Sequence, residues 1–272
     1  MTEPIQECST ESKSPRLLIL GAHPDDAEFH AGGLASIYRQ LNREVKMVSV
    51  TDGSAGHHQK TPAELIDIRR EESTAAAAVI GAQSAVWGFR DGYLEPTLEL
   101  RKRIIHEIRV FQPDLVLTHR TCDYHPDHRA VGQAVQDASF LVTVPHVSVQ
   151  TPALRIDPVV ATMVDLFTKP SPMNPDIVLN ITSQLDTITK MLSCHKSQVY
   201  EWLPYSQNCL DKIPETESEK FRWLQDWFVK YAGPRSAHFK SKFSLIETYE
   251  ISEYARRPDE ELIQSLFPNA AS

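Results

Sequence analysis

The feature that most constrains the fold is the segment AHPDDAEF, residues 22–29, which directly follows the apolar run RLLILG. The stretch from Leu17 to Leu20 is typical of a buried β-strand, so the His and both Asp residues emerge at its carboxyl end. Much later, HPDH at residues 125–128 follows a second strand-like run, DLVLTH. Ligands bind at the carboxyl ends of the strands in an open α/β sheet. The two clusters therefore predict one site at that edge of a sheet.

Strand-like and helix-like segments alternate through the first half of the chain. We predict strands over 16–21, 45–50, 84–89 and 114–119, and helices near 32–42, 61–81 and 98–111. In the second helix Thr61 can act as the cap, Pro62 suits the first position, Glu64 completes a capping box and Gly81 can end the helix. This alternation predicts an α/β fold with a mostly parallel sheet covered by helices on both faces.

The second half has a weaker pattern. Residues 143–176 contain six of the 18 prolines, which predicts a long ordered loop or cover. We predict a strand over 176–181, a helix over about 184–199, and a last strand over 244–251 at the edge of the sheet. Residues 1–14 are predicted to be a flexible tail and 15–272 a single domain, in which the C-terminal half (about 143–272) completes the substrate pocket.

Composition bounds the class of protein. The formal net charge of −8 and the lack of a basic block argue against a nucleic-acid partner. The four cysteines have no CxxC spacing, which is typical of reduced thiols in a cytoplasmic protein. The N-terminus has no apolar signal core, and no apolar stretch approaches the ~20 residues that span a membrane. The prediction is a cytoplasmic protein without a membrane segment.

Three of the clustered side chains have the types and spacing of a catalytic metal site, which needs about three protein ligands and an open position for water. His23 and Asp26 can converge on one ion, and His128 can supply the third ligand from the facing loop. Asp25 cannot easily join the same ion and is a candidate base for the activated water. His125, one helical turn before His128, can donate a proton to a leaving amine or stabilise an oxyanion.

Each of these motifs and residues, taken alone, also has a purely structural explanation. HPD can be a turn that caps a helix, HxxH is a weak motif, and Asp127 can either cap a helix or hold a histidine tautomer. His30 is interpreted as a packed structural histidine, with a pocket role as the alternative. His57 and His58 are interpreted as solvated loop residues. The two clusters together favour a metal site.

The sequence AHPDDAEFHAGG with the downstream HPDH resembles the PIG-L/LmbE-like zinc-dependent N-acetylglucosamine deacetylases, which include enzymes of mycothiol and bacillithiol synthesis and diacetylchitobiose deacetylases. The resemblance spans roughly residues 16–135. It implies a Rossmann-like three-layer sandwich with zinc held by the first His, the second Asp and the last His of the two motifs. Those positions are His23, Asp26 and His128.

The resemblance also implies roles for four further residues. The family's general base corresponds to Asp25, and its acid or oxyanion-stabilising group to His125. An Arg in an RxxE helix and an Asp in a later loop bind the sugar in the family, and Arg69 and Asp91 match them. Without the resemblance, Arg69 is an exposed helix charge paired with its neighbours, and Asp91 before Gly92 is a turn signal.

The motif departs from the family in two places that bear on specificity, one of which is His30 and Ala31 in place of the small residues often found before Gly32 and Gly33. The usual HPDDE reads HPDDA, so Ala27 stands in the Glu position and Glu28 follows one place later. The three ligand positions are unaffected, whereas the hydrogen bonds around them and the pocket for the acyl group or sugar can differ.

These observations predict a zinc-dependent hydrolase that removes an N-acetyl group from an N-acetylglucosamine-containing substrate, with Asp25 deprotonating the zinc-activated water. One alternative is an amidase or deacylase of another amide-linked glycoconjugate or thiol conjugate. The other is an inactive sugar- or nucleotide-binding module. Fe²⁺, Co²⁺ or Ni²⁺ are alternative metals. The expected partner is a small N-acetylated amino sugar or glycoconjugate, and the resemblance implies a homotrimer or homohexamer.

Overall fold

A computed structural model describes residues 14–270 of the chain. Almost all of the predicted N-terminal tail, residues 1–13, lies outside this range, as do the last two residues. Seven strands form one sheet in the order β3-β2-β1-β4-β5-β7-β6. The strands are β1 Leu17–Gly21, β2 Val45–Thr51, β3 Gln83–Phe89, β4 Leu115–Thr118, β5 Val159–Met163, β6 Ile177–Asn180 and β7 Ile246–Ile251.

The first five strands are parallel, with β1 in the middle between β2 and β4. Strand β7 then pairs antiparallel to both β5 and β6. Because the five parallel strands all point the same way, the segments that follow them meet at one edge of the sheet. Both halves of the chain contribute strands to this sheet.

Helices cover both faces of the sheet. They are α1 Asp26–Gln40, α2 Pro62–Ile80, α3 Leu98–Phe111, α4 Pro126–Ser139, α5 Leu185–Leu192, α6 Leu203–Ser206, α7 Glu217–His238 and α8 Glu260–Leu266. Alternate residues of β1 point to opposite sides, as the two-residue period of a strand requires. Leu17 and Ile19 pack in a core with residues of α1, α5 and α7, whereas Leu18 and Leu20 pack in a core with residues of α3 and α4.

This architecture confirms the predicted α/β fold, a three-layer sandwich with a mostly parallel sheet. In the first half of the chain, local sequence signals also predicted several helix boundaries correctly. The Thr61–Glu64 capping box forms, Gly81 ends α2 in the left-handed conformation with φ 68°, and α3 spans the predicted residues 98–111. These boundaries depend on short-range hydrogen bonds and helical periodicity, which the sequence displays directly.

Four predictions about elements were wrong. Helix α1 begins at Asp26 rather than near residue 32, so the motif itself forms its first turn. The proline-rich region contains strand β5, which the surrounding prolines conceal. The predicted helix 184–199 ends at Leu192 and is followed by a separate π-helical segment, Ser197–Trp202. Strand β7 lies inside the sheet, and β6 occupies the edge.

Within residues 14–270, no helix is both long and apolar enough to cross a lipid bilayer. Cys122, Cys194 and Cys209 are free thiols, and Cys8 lies outside the described residues.

Candidate metal and active site

A cavity of about 740 Å³ opens where the five parallel strands end. Its floor is the first motif, and its walls include residues that follow each of the other four parallel strands, such as Gly53, Asp91, His125 and Asp165. Residues from the C-terminal half complete it, among them Trp202, Leu203, Trp227, Tyr231 and Arg235. The cavity therefore depends on parts of the chain that are far apart in sequence.

The side chains of His23, Asp26 and His128 converge at the floor of this cavity. Nδ1 of His23 lies 3.5 Å from Asp26 Oδ2 and 3.2 Å from Nε2 of His128. The third separation, between His128 Nε2 and Asp26 Oδ1, is 3.5 Å. Ligands at 2.0–2.1 Å from a tetrahedral zinc ion are about 3.3–3.4 Å apart along the edges of the tetrahedron. The three separations are close to this value, with the two histidines facing different oxygens of the Asp26 carboxylate.

Two carboxylates orient the ring of His23. Its Nε2 lies 3.2 Å from Asp127 Oδ2 and 3.2 Å from Asp91 Oδ1. A proton on Nε2 serves these acceptors, which leaves the lone pair of Nδ1 directed at Asp26 and His128. Burial lowers the pKa of His23, but hydrogen bonds to Asp127, Asp26 and Asp91 outweigh it and raise the pKa well above its usual range. The surroundings therefore favour positive charge at this point.

His128 also has a carboxylate beside it. Its Nδ1 lies 3.1 Å from Oδ1 of Asp123, at an angle outside hydrogen-bond geometry, and its Nε2 faces His23. Burial raises the pKa of Asp123, yet the contact with His128 outweighs it and lowers the pKa below the usual range. A carboxylate behind a ligating imidazole is a recurrent feature of metal sites.

Two neighbouring histidines lie close enough to compete for a place in the cluster. His119 Nε2 lies 3.1 Å from Asp26 Oδ2, but it also accepts a hydrogen bond from the backbone N–H of Ala22 at 3.1 Å, which engages its lone pair. His125 approaches His23 edge to face, with ring centroids 4.5 Å apart. The sequence interpretation did not single out His119, although it ends the strand-like run DLVLTH.

His125 also serves as the cap of α4, a role that the sequence interpretation assigned to Asp127 as one alternative. Its Nδ1 accepts the backbone N–H of Asp127, so the proton of the neutral ring resides on Nε2. Burial lowers the pKa of His125, and the nearby His23 and His128 lower it further. Asp127 is instead the partner of His23, its other predicted role, and accepts backbone N–H groups of Gly92 and Leu94.

Asp25 occupies a strained backbone position beside the cluster. Its φ of 107° lies in the left-handed region, where a non-glycine residue is uncommon. Such strain is concentrated at functional sites. Oδ2 of Asp25 lies 3.2 Å from Nη2 of Arg69. Burial raises the pKa of Asp25 to about 6, although the charge of Arg69 opposes the shift. This carboxylate faces the cavity and does not join the trio.

Arg69 is buried, with 2% of its surface exposed, so its interpretation as an exposed helix charge is wrong. It contacts Asp25 and Glu72 and donates to the backbone carbonyl of Pro24. Asp91 accepts the backbone N–H of Ala55 and faces His23. Both residues line the cavity, but each already engages other residues of the site.

The interpretations of the other histidines agree with the structure only in part. The side chain of His57 is almost fully buried and its Nε2 lies 2.8 Å from Glu201, so its interpretation as a solvated residue is wrong. His30 lines the cavity, in line with the alternative pocket role. Buried His195 lies 3.3 Å from Glu28, the acid displaced in the motif, while Ala27 packs in the core.

Residues 18–139 match the family model "PIG-L: GlcNAc-PI de-N-acetylase". Over these residues the chain is similar to the PIG-L/LmbE-like family. The family segment runs from β1 to the end of α4 and so contains both His/Asp motifs. The resemblance inferred from those motifs is therefore confirmed.

The proteins that this chain resembles differ in their named activities. It is 26% identical over 207 residues to 4-oxalmesaconate hydratase of Pseudomonas putida, a match that covers 72% of this chain and 78% of that protein. It is 33% identical over 138 residues to a Bacillus anthracis protein named probable N-acetyl-alpha-D-glucosaminyl L-malate deacetylase 2. That match covers 47% of this chain and 60% of the B. anthracis protein. The structure of N,N'-diacetylchitobiose deacetylase from Pyrococcus horikoshii superposes on this chain with a TM-score of 0.69 and 23% sequence identity. The superposition covers 92% of this chain and 90% of that one, so the two share a fold.

Proposed function

We propose that the chain is a metal-dependent hydrolase that removes the acetyl group from an N-acetylglucosamine-containing substrate. The observation that carries the proposal is the trio of His23, Asp26 and His128, whose donor atoms lie 3.2–3.5 Å apart at the floor of the cavity. Two imidazoles and one carboxylate suit zinc, and Fe²⁺, Co²⁺ or Ni²⁺ are compatible with the same donors. The family match and the named deacetylases support the reaction class.

A divalent cation held by these three groups would act as a Lewis acid on the acetyl carbonyl and lower the pKa of water towards ~7. Asp25 stands next to the trio with its carboxylate facing the cavity, and it accepts the proton of the attacking water. As the C–N bond breaks, Asp25 returns this proton to the leaving nitrogen. The products are acetate and the free amine.

His125 and Arg69 each support this chemistry. Because Nδ1 of His125 is occupied by the backbone of Asp127, its Nε2–H is available to donate a hydrogen bond to the oxyanion. Arg69 fixes the carboxylate of Asp25 through the contact at 3.2 Å. Asp91 orients the ring of His23 through the contact between its Oδ1 and Nε2 of His23 at 3.2 Å. A contact of Arg69 or Asp91 with the sugar, as in the family, is a further element of the proposal.

A second candidate reaction is the addition of water to the double bond of an unsaturated acid. It is favoured by the match to the hydratase, which covers more of this chain than the match to the B. anthracis protein. The same cluster and the same base serve both reactions, because each begins with removal of a proton from water. The bond that is attacked differs.

The experiment is to measure the metal content of the purified protein and then assay two reactions. Amine release from N-acetylglucosamine and N,N'-diacetylchitobiose reports deacetylation, and loss of ultraviolet absorbance from a conjugated unsaturated acid reports hydration. We expect amine release that stops after chelation and returns with Zn²⁺. Amine release from thiol conjugates alone would favour the amidase alternative. Hydration without amine release would favour the second reaction, and no metal with neither activity would favour an inactive binding module.

A further inference from the structure

One charged side chain of the cavity has no role in the chemistry above. Arg235 lies on α7, is 3% exposed and forms part of the cavity wall. Among residues 14–270, no carboxylate oxygen lies within 4.0 Å of its guanidinium, and its Nη1 has no hydrogen-bond partner. Its Nη2 donates to the backbone carbonyl of Phe29 at 3.1 Å, and the guanidinium also interacts with the hydroxyl of Tyr231. Buried charges in proteins are paired or hydrogen-bonded, because an isolated one is costly.

The charge of Arg235 acts on buried Glu247, but the two form no ion pair within 4.0 Å. Glu247 accepts the backbone N–H groups of Gly33 and Leu34 and the hydroxyl of Tyr249, at 2.6–2.9 Å. Both of its oxygens are thus engaged by α1 and by its own strand. Arg69, the other arginine of the cavity wall, differs from Arg235 in this respect, since it contacts Asp25 and Glu72.

The surroundings of Arg235 place it close to the metal cluster. His30, which follows its partner Phe29 in α1, also lines the cavity and has a buried Nδ1 without a hydrogen-bond partner. The ring of His30 lies 6.0 Å from that of His119, which stacks on His128 at 3.9 Å. On the other side, the guanidinium lies 5.1 Å from the ring centre of Tyr231. The charge of Arg235 acts on His30, both residues line the cavity, and two ring contacts connect His30 to the proposed ligand His128.

From this arrangement we propose that the substrate carries a carboxylate that Arg235 binds in the cavity, with His30 beside it. This inference rests on the proposed function and narrows its substrate to an acidic N-acyl amino sugar derivative. A single unpaired guanidinium matches the single charge of a carboxylate. A phosphate dianion fits less well, since the cavity wall also carries acidic groups, including Asp25, Asp123 and Asp165.

The test compares acids with their own methyl esters, so that only the charge changes. One pair carries the carboxyl group on the acyl side, N-succinylglucosamine and its methyl ester. The other carries it on the sugar side, the N-acetylglucosaminide of glycolic acid and its methyl ester. Dissociation constants are measured by calorimetry on the metal-loaded protein, and kcat/KM by amine release. We expect at least one acid to be preferred over its ester by about tenfold or more.

The variants Arg235→Met and Arg235→Lys separate the guanidinium from the metal, which can itself attract an acid. Arg235→Met should reduce the preference to within about threefold, and Arg235→Lys should keep part of it. Arg222→Met, an exposed arginine on the same helix, should behave as the wild-type protein. If Arg235→Met does not fold, the folded Arg235→Lys variant makes the comparison, and an undiminished preference in that variant would count against the inference.

Three results would overturn the inference. These are equal binding of acid and ester in both pairs, an undiminished preference in folded Arg235→Met, or tighter binding of N-acetylglucosamine 6-phosphate than of either carboxylate. If no probe releases an amine, the proposed reaction fails on its own, whereas the dissociation constants still test the carboxylate site.

Discussion

Nε2 of His23 lies 3.2 Å from Oδ2 of Asp127, although 104 residues separate the two in sequence. Asp127 is fully buried and already accepts two backbone N–H groups, so it acts only as an acceptor. It therefore takes the proton of Nε2 and leaves the lone pair of Nδ1 for the cluster. The tautomer of His23 is set by a residue of the second motif.

This pairing predicts the effect of Asp127→Asn. An amide at this position turns a donor towards His23 or towards a backbone N–H, so the ring loses its orientation. We expect metal affinity to fall by about 10–100-fold, as is usual when such a partner is lost. Competition with a chromogenic chelator measures it. Asp137→Asn, on the same helix but outside the site, is the control, and equal affinities in both variants would contradict the role of Asp127.

The assignment of Asp25 as base predicts a separation of metal binding from turnover. Asn is tolerated at positive φ better than Ala, so Asp25→Asn should keep the backbone of the motif. We expect normal metal content and a fall in kcat of about 10²–10⁴-fold. His128→Ala should instead lose the metal. Metal analysis and single-substrate kinetics check both, and normal turnover by Asp25→Asn would remove Asp25 from the mechanism.

The burial of Arg69 predicts a large effect on stability. Arg69→Met leaves Asp25 and Glu72 without their cation in a buried setting, which typically costs about 3–5 kcal/mol. Its neighbour Arg70 has a half-exposed side chain paired only with Asp67, so Arg70→Met should change the free energy of unfolding by less than about 1 kcal/mol. Urea unfolding of both variants makes the comparison. Similar values for the two would show that the Asp25–Arg69 pair contributes little.

Close packing beneath the site predicts a further difference between two glycines. A Cβ at Gly132 in α4 would lie 2.6 Å from the backbone oxygen of His119, whereas a Cβ at Gly88 in β3 meets nothing within 4 Å. Gly132→Ala should therefore lower the free energy of unfolding by about 1–3 kcal/mol, as overpacking does, and disturb the end of β4. Gly88→Ala should be close to neutral. Thermal unfolding and metal content measure the two consequences.

Much of the fold was predictable because its signals are local. The Thr61–Glu64 capping box and the apolar periodicity of 98–111 are written in neighbouring residues, and the structure reproduces both. Strand β5 was missed because its pairing with β4 and β7 is a non-local interaction. The position of β7 inside the sheet likewise depends on strand pairing between distant segments. A pattern of alternating residues within one strand does not specify that pairing.

The sequence by itself determined the residue types of the candidate site: two His/Asp clusters that follow strands, with donor groups that divalent metals bind. Only the tertiary structure decided which atoms face one another. It placed Asp127 and Asp91 behind His23, buried Arg69 against Asp25, and left Arg235 in the cavity wall without a carboxylate. The physical reason is that hydrogen bonds and ion pairs depend on distances of a few ångströms. In this protein, those distances join side chains from distant parts of the chain.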